Sequence, residues 1–272
     1  MTEEIQIVET GIEVFEAQER ASIDIQVATA KKYPRDLRKV MENSIFIATL
    51  DKDTASKCRY AKPVGGKSIT GPSVHLARII CQQYGNIRVQ QRIKQITDKA
   101  IIAEAIAFDL QTNYAVCVEA RRSILGKDGR RFAESVVETN AMAILAIAER
   151  NAILKIVPVA ITNKVYNEAF NFVFGELSDT AKLIKERERL LGIFKNTYGM
   201  QEVDVISCLG LGTKEAIKAE HVADMVGYIQ SLKDKEITVE DLKGRNQKSG
   251  SDKKQELKDK KQDNQTAQPT LL

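Results

Sequence analysis

Apolar residues recur along this chain at two spacings, and each spacing predicts a type of element. Between residues 58 and 125 they alternate with polar residues, which is typical of strands with one buried face. Two of these segments flank Gly65-Gly66, a dipeptide that favours a tight hairpin turn. The alternation therefore predicts five strands, at Cys58–Val64, Lys67–Thr70, Ile87–Ile96, Ala100–Leu110 and Tyr114–Leu125.

Helical spacing predicts the remaining elements. Residues 4–20 indicate an N-terminal helix, and Ser22 is a candidate N-cap for a second short helix that Tyr33-Pro34 ends. Further helices are predicted at Arg35–Leu50, 73–84, Phe132–Val157 and 159–174, with three or four short ones in 179–243. This order predicts an α+β fold: a β-hairpin, a helix, a three-stranded antiparallel sheet and a long packed helix, followed by a small all-α C-terminal module.

Changes in composition predict where domains begin and end. Gly175-Glu176-Leu177-Ser178 is typical of a boundary, and the segment after Gly244 is polar and charged, which predicts disorder. We therefore expect an N-terminal helical arm at 1–34, an α+β core at 35–174, a helical module at 178–243 and a disordered tail at 244–272.

Positive charge is concentrated in the middle of the chain. Residues 31–155 carry 22 Lys and Arg against 12 Asp and Glu, a net charge of +10, although the whole chain is only +4. Residues 1–30 carry seven acids and one base. A basic sheet-and-helix segment between more acidic flanks favours a polyanionic partner, and the element order favours single-stranded nucleic acid.

The candidate phosphate contacts are basic residues on or beside the predicted strands. In the third strand, Arg88, Gln90, Arg92 and Lys94 alternate with a more apolar side that includes Ile87 and Val89. Aromatic residues near these cations could stack on bases or belong to the core; they are Tyr60, Tyr84, Tyr114 and Phe132. The full candidate set is Lys62, Lys67, Arg88, Arg92, Lys94, Arg121, Arg122, Lys127, Arg130, Arg131 and Arg150.

Two alternatives stay open for these cations. The basic strand face is also typical of an ordinary solvated surface. Arg150 lies within an apolar helix, where it either pairs with Glu119, Glu138 or Glu149 as plain structure or turns towards a groove and holds phosphate.

A phosphate loop is a competing interpretation of Ala61–Ser68, which reads Ala-Lys-Pro-Val-Gly-Gly-Lys-Ser. Such a loop needs a helix that starts directly at the Lys-Ser pair, so that its N–H groups hold phosphate. Pro72 would lie inside that helix and disfavours it. A glycine hairpin that carries Lys62 and Lys67 fits the segment better.

Other chemistry has little support in the sequence. The four cysteines (Cys58, Cys81, Cys117 and Cys208) are far apart and are interpreted as reduced core residues of a cytoplasmic protein. His75 and His221 are isolated, and no carboxylate cluster resembles a nuclease site, so we expect no metal, no cofactor and no enzymatic activity. The longest apolar run, Ala141–Ala148, is too short to span a membrane, and the acidic N-terminus is unlike a signal peptide.

The order of elements over residues 58–157 resembles the core of the phage single-strand annealing proteins of the Red-beta, RecT and Erf types. Several motifs within residues 20–240 are also similar to a family of phage and prophage proteins. These motifs are Ala21–Ala30, Tyr33-Pro34-Arg35, Gly71-Pro72-Ser73, Gly129-Arg130-Arg131-Phe132 and Arg150-Asn151-Ala152.

The resemblance implies rings or filaments that hold single-stranded DNA in a basic groove and pair complementary strands without ATP. It also implies a C-terminal helical domain that binds an exonuclease or a single-strand binding protein. We therefore expect a DNA-annealing protein of phage recombination in the cytoplasm of a bacterial host. The alternatives are a P-loop NTPase that uses Gly65–Ser68 and a DNA-binding accessory phage protein that does not anneal.

Overall fold

The computed structural model describes residues 2–64, 67–126 and 128–243. The strands are β1 (Arg59–Val64), β2 (Lys67–Pro72), β3 (Ile87–Ile96), β4 (Ala100–Asp109) and β5 (Tyr114–Ser123). The first helices are α1 (Thr2–Lys32), α2 (Leu37–Ala48), α3 (Lys52–Lys57), α4 (Val74–Tyr84), α5 (Glu134–Ile156) and α6 (Val159–Phe174). They are followed by α7 (Thr180–Tyr198), α8 (Glu202–Cys208), α9 (Ala219–Lys233) and α10 (Val239–Lys243), with short 3-10 helices at Gly175–Ser178 and Lys214–Ala216.

The predicted α+β class is confirmed: a two-stranded and a three-stranded antiparallel sheet accompany the helices, and the C-terminal region is helical. The N-terminal prediction was wrong in one respect. Ser22 does not cap a second helix, because α1 runs without interruption from Thr2 to Lys32. No Gly or Pro lies between residues 12 and 33, so nothing in the sequence there forces the helix to end.

The chain forms two compact units. The first, which we call the sheet unit, comprises the described residues of 2–50 and 74–168. In it, β3, β4 and β5 pair in that order, and α5 packs across one face of the sheet. The β4 side chains on that face are completely buried; they are Ile101, Ala103, Ala105 and Ala107.

Helix α5 contributes small residues to this contact. Ala143, Ala148 and Ala152 are buried, and alanines on both surfaces let the helix lie close to the sheet. The buried stripe begins at Val137, and the neighbouring Val136 is 41% exposed. On the sheet unit's helical side, α4 contacts both α5 and α2.

The second compact unit, which we call the hairpin unit, comprises residues 51–73 and the described residues from 169 onward. Its β1–β2 hairpin packs on α9. The backbone N–H of Ala61 donates to Ser231 Oγ at 3.1 Å, and Arg59 Nη2 donates to Asp224 Oδ1 at 2.7 Å. A Cβ atom added at Gly227 would lie 2.7 Å from Ala61 Cβ, so this contact requires the glycine.

These units divide the chain differently from the boundaries predicted at 35–174 and 178–243. The hairpin lies with the C-terminal helices, because α9 is buried on nearly all sides and needs cover that the other helices do not supply alone. The predicted tail at 244–272 lies outside the described residues.

Candidate nucleic-acid interface

The face of the sheet opposite α5, which we call the open face, carries most of the strand cations predicted from sequence. Alternation along each strand and the observed pairing place its residues together. They are Arg88, Gln90, Arg92 and Gln95 of β3, Ile102, Glu104, Ile106 and Phe108 of β4, and Ala115, Cys117, Glu119 and Arg121 of β5.

A β-bulge in β3 adds one more cation to this face. The pairing of β3 with β4 shifts between Ile93 and Gln95, so Lys94 is the extra residue. The Lys94 ammonium pairs with Glu119 and lies 3.6 Å from Glu104 Oε2. Both carboxylates belong to the open face, which means that the bulge directs Lys94 towards the same side as Arg92.

Carboxylates neutralise much of the charge on the open face, which the sequence analysis missed. Arg92 Nε donates to Glu104 Oε1 at 3.0 Å, and Glu104 lies directly opposite Glu119 on β5. The hydrogen bond from Arg92 holds the pKa of Glu104 below its ordinary value despite partial desolvation. Arg92 and Lys94 therefore stand in a network with two acids, which reduces the net attraction for phosphate.

Arg88 is also paired, and its partner comes from the N-terminal helix. Its guanidinium donates to the Glu19 carboxylate and, through Nη1, to Gln26 Oε1 at 3.3 Å. Gln90 donates to the same Glu19 carboxylate at 3.3 Å. The first part of β3 thus meets an acidic residue of α1.

The end of β5 and the turn after it present the least neutralised cations. Arg121 is exposed and pairs with none of the described residues. The Arg130 side chain is 89% exposed, and its Nε lies 3.9 Å from Asp128 Oδ2. Arg122 is partly buried, and Arg131 Nη2 donates to Glu134 Oε2 at 3.2 Å. Lys127 lies outside the described residues.

This turn is ordered by its own backbone. The N–H of Gly126 donates to the Arg130 carbonyl at 2.8 Å, and the N–H of Gly129 donates to the Gly126 carbonyl at 3.0 Å. Gly129 has a φ of 77°, a conformation that favours glycine. Beyond the turn, the Phe132 N–H donates to the Ile124 carbonyl. Arg130 and Arg131 therefore lie in a turn that backbone hydrogen bonds hold against the end of β5.

Lys62 and Lys67 are not part of the three-stranded sheet; they belong to β1 and β2 of the hairpin unit. Lys62 is exposed opposite Ile69, and only the backbone of Lys67 is described. Lys67 and Ser68 begin strand β2, and the next helix begins at Val74. The segment therefore lacks the helix N-terminus with which a phosphate loop binds its ligand.

Arg150 is a core residue and does not lie on the exposed basic surface. It is 6% exposed, and its Nε lies 3.4 Å from Asn151 Oδ1. Glu149, one of its predicted partners, accepts hydrogen bonds from Arg78 at 3.0 and 2.6 Å. The burial of Arg150 favours its interpretation as a structural residue.

The four candidate aromatic residues likewise differ in exposure and in the unit to which they belong. Tyr84 is buried, and the Arg35 guanidinium lies over its ring at 3.9 Å from the centroid. Tyr60 lies against Gly71 in the hairpin. Tyr114 and Phe132 remain 55% and 37% exposed, so of the four candidate aromatic residues these two are accessible for stacking in the sheet unit.

One buried ion pair was not foreseen. Arg35 Nη1 and Nη2 donate to the two Asp109 carboxylate oxygens at 2.7 and 2.5 Å, and Asn86 Nδ2 donates to the Tyr33 carbonyl at 3.0 Å. These contacts fix the segment between α1 and α2 to the end of the sheet where β4 finishes. The Tyr33-Pro34-Arg35 motif thus has a structural role.

The cysteines also differ from expectation. Cys58 and Cys208 are buried, but Cys117 is exposed on the open face and Cys81 is half-buried. Burial raises the pKa of the Cys58 thiol to about 12. Within residues 2–64, 67–126 and 128–243, no three His, Cys, Asp or Glu side chains form a group suited to a metal ion.

No described helix is both long and apolar enough to cross a lipid bilayer. No family model, characterised protein or solved structure matches the chain at a significant level. The function is therefore inferred from the fold and the surface chemistry.

Proposed function

We propose that this protein binds single-stranded DNA and pairs complementary strands without ATP, as an annealing protein of phage homologous recombination. The observation that carries the proposal is the row of arginines at the end of β5 and in the turn after it. Arg121 extends into solvent and pairs with none of the described residues, and the Arg130 side chain is 89% exposed, with Asp128 as a distant partner at 3.9 Å. Arg131 follows in the same turn, whereas Arg122 lies opposite Ile101 of β4 and so points to the other face of the sheet.

This arrangement suits a phosphate backbone better than a folded small molecule. Cations spaced along a strand and its turn match repeated phosphates, and their binding releases condensed counterions from the nucleic acid. An annealing protein must leave the base edges accessible to a second strand, which contacts to phosphate alone permit. The exposed ring of Phe132, next to Arg131, adds a surface on which one base can stack.

The remaining parts of the proposal concern partners. The chain would assemble into a ring or filament, because one row of arginines holds only a few phosphates and annealing needs a longer track. Residues 178–243 carry 12 acids and 10 bases, which disfavours DNA and favours a protein partner, such as an exonuclease or a single-strand binding protein. These proteins would act in the cytoplasm of a bacterial host.

The test is the salt dependence of binding to a fluorescent oligo(dT), measured by anisotropy over a series of NaCl concentrations. Each single-strand phosphate contact contributes about 0.7 to the slope of log K against log salt. We expect the Arg121, Arg122, Arg130 and Arg131 quadruple alanine variant to lower the slope by about 2 to 3 and to slow the annealing of complementary oligonucleotides.

The matched control removes four lysines from the hairpin unit. Lys182, Lys185, Lys195 and Lys233 are exposed, and their change to alanine lowers the net charge of the chain by the same amount. The control should retain most of the parent slope. Equal slopes for the arginine variant and the parent, with intact circular dichroism, would remove this row from the binding site. Binding without faster annealing would favour the accessory DNA-binding protein instead.

A further inference from the structure

The open face already holds an anion that belongs to the protein itself. Glu19 of α1 accepts hydrogen bonds from Arg88 and Gln90, the two open-face residues at the start of β3. We propose that α1 is an autoinhibitory strap, whose Glu19 carboxylate occupies a phosphate position on the open face until single-stranded DNA displaces it. This inference rests on the function proposed above and adds its regulation.

The strap has an anchor that does not involve Glu19. Its C-terminal end is held by the burial of Ala30 and by the hydrogen bond from Asn86 to the Tyr33 carbonyl. The Arg35–Asp109 ion pair, with side chains 7% and 4% exposed, secures the segment that follows. These contacts involve residue 30 and the residues after it, so the part of α1 around Glu19 can leave Arg88 without losing its attachment to the sheet.

The contact at Glu19 is of a kind that phosphate can replace. The Glu19 side chain is 41% exposed, and an ion pair with one solvated partner is weak and is screened by salt. A phosphate oxygen accepts from a guanidinium with the same charge-assisted geometry as a carboxylate oxygen. A DNA strand that binds several cations at once therefore competes effectively with the single carboxylate.

Charge along the chain is consistent with this competition. Residues 1–30 carry a net charge of −6, whereas residues 87–131, which contain the sheet and its turn, carry nine bases and five acids. An acidic helix beside a basic sheet lowers the local potential that attracts DNA. Gln26, which accepts from Arg88 Nη1 at 3.3 Å, adds a second contact from the same helix without charge.

The test compares two variants that each remove one negative charge from α1 of the full chain. Glu19→Gln removes the carboxylate that Arg88 and Gln90 contact, whereas Glu16→Gln removes one that lies 3.8 Å from Arg20 on the same helix. We expect Glu19→Gln to tighten oligo(dT) binding at low salt by about fivefold. Glu16→Gln should change it by less than about twofold, because an exposed charge acts only through the screened field.

Hydrogen exchange supplies a second measurement that does not depend on affinity. Residues 16–30 should exchange faster in Glu19→Gln than in the parent or in Glu16→Gln, since a helix released from tertiary contacts is marginally stable in water. Adding oligo(dT) to the parent should produce the same increase.

The outcomes separate this inference from the proposed function. If the parent binds oligo(dT), but Glu19→Gln and Glu16→Gln bind equally and exchange in α1 is unchanged, the strap is refuted and DNA binding stands. If Glu19→Gln exchanges faster but none of the three proteins binds oligo(dT) at any salt concentration, the proposed function fails, and with it the role of α1 as an inhibitor.

Discussion

The three-stranded sheet and the two-stranded hairpin are both antiparallel and both carry cations, but different parts of the chain support them. The sheet packs on α5, which begins eleven residues after β5 ends. The hairpin packs on α9, and its bond from Ala61 to Ser231 spans 170 residues. Nearness in sequence therefore predicts correctly that the sheet packs on α5. It does not predict that the hairpin packs on α9, because a long-range contact leaves no local pattern in the sequence.

This difference changes how the protein should be dissected. A truncation at the predicted boundary near Gly175 removes α9 and exposes the hairpin surface that contains Ala61. Such a fragment tests the loss of a packing partner as well as the loss of a binding module. Point substitutions that disturb one unit at a time separate the two effects.

The largest effect is expected in the sheet unit, from Arg35→Ala. This change leaves the Asp109 carboxylate buried without its bidentate partner and removes the cation over Tyr84. Breaking a buried pair in this way costs about 4 kcal/mol of the free energy of unfolding. Urea unfolding followed by circular dichroism should show the loss. Arg78→Ala, which breaks the more exposed pair with Glu149, should cost about 1 kcal/mol or less.

Acid should reproduce part of this loss in the parent. Burial raises the pKa of Asp109, but hydrogen bonds from Arg35 and the Gln111 N–H outweigh it, so the pKa lies below its ordinary value. The stabilisation is therefore complete above the unfolded pKa of about 4 and is lost as pH falls through the folded pKa. The difference in free energy of unfolding between the parent and Arg35→Ala should therefore decrease below pH about 4. A difference that does not change with pH would contradict the role of the Asp109 carboxylate as the partner of Arg35.

A smaller effect is expected in the hairpin unit, from Gly227→Ala. The new methyl group would meet the Ala61 Cβ at 2.7 Å and the Ala61 nitrogen at 3.1 Å, so the hairpin must move away from α9. Overpacking of this kind costs about 2 kcal/mol. Urea unfolding of the full chain should show a first transition at lower urea, with faster hydrogen exchange in residues 59–72.

Gly192→Ala is the matched control, since Gly192 also lies inside a helix of the same unit. Nothing lies within 4 Å of a Cβ atom at that position, and alanine there should stabilise the protein by about 0.5 kcal/mol. Equal stabilisation by the two changes would mean that helix propensity, rather than the contact with Ala61, dominates.

Local patterns predicted most of the elements and part of the surface. The five strands and α5 follow from alternation, from Gly-containing turns and from helical spacing, which depend on neighbouring residues only. The facing of Glu104 and Glu119 was also accessible, because the short turn between β4 and β5 fixes their register. The partial neutralisation of the strand cations by these two acids was therefore predictable from the sequence.

Other features depend on contacts that no local pattern contains. The Arg35–Asp109 pair joins residues 74 apart, and the packing of Gly227 on Ala61 joins the two ends of the hairpin unit. The apolar neighbours of Arg150 left two orientations open, a structural one and one towards a groove, and only the structure shows that it is buried. The position of Glu19 beside Arg88 likewise required knowing that α1 is one continuous helix.

The smallest effect is expected from Lys67→Ala in the presence of ATP. Lys67 begins a strand that pairs with β1, and no helix starts at Ser68 to supply the N–H groups that bind phosphates. We expect the purified parent to show no ATP turnover and its annealing rate to be the same with and without ATP and Mg²⁺. Lys62→Ala, on the opposite strand of the same hairpin, is the matched control for charge. ATP hydrolysis that is abolished by Lys67→Ala and retained by Lys62→Ala would overturn the proposal and favour a phosphate-loop enzyme, because only a direct phosphate contact distinguishes the two lysines.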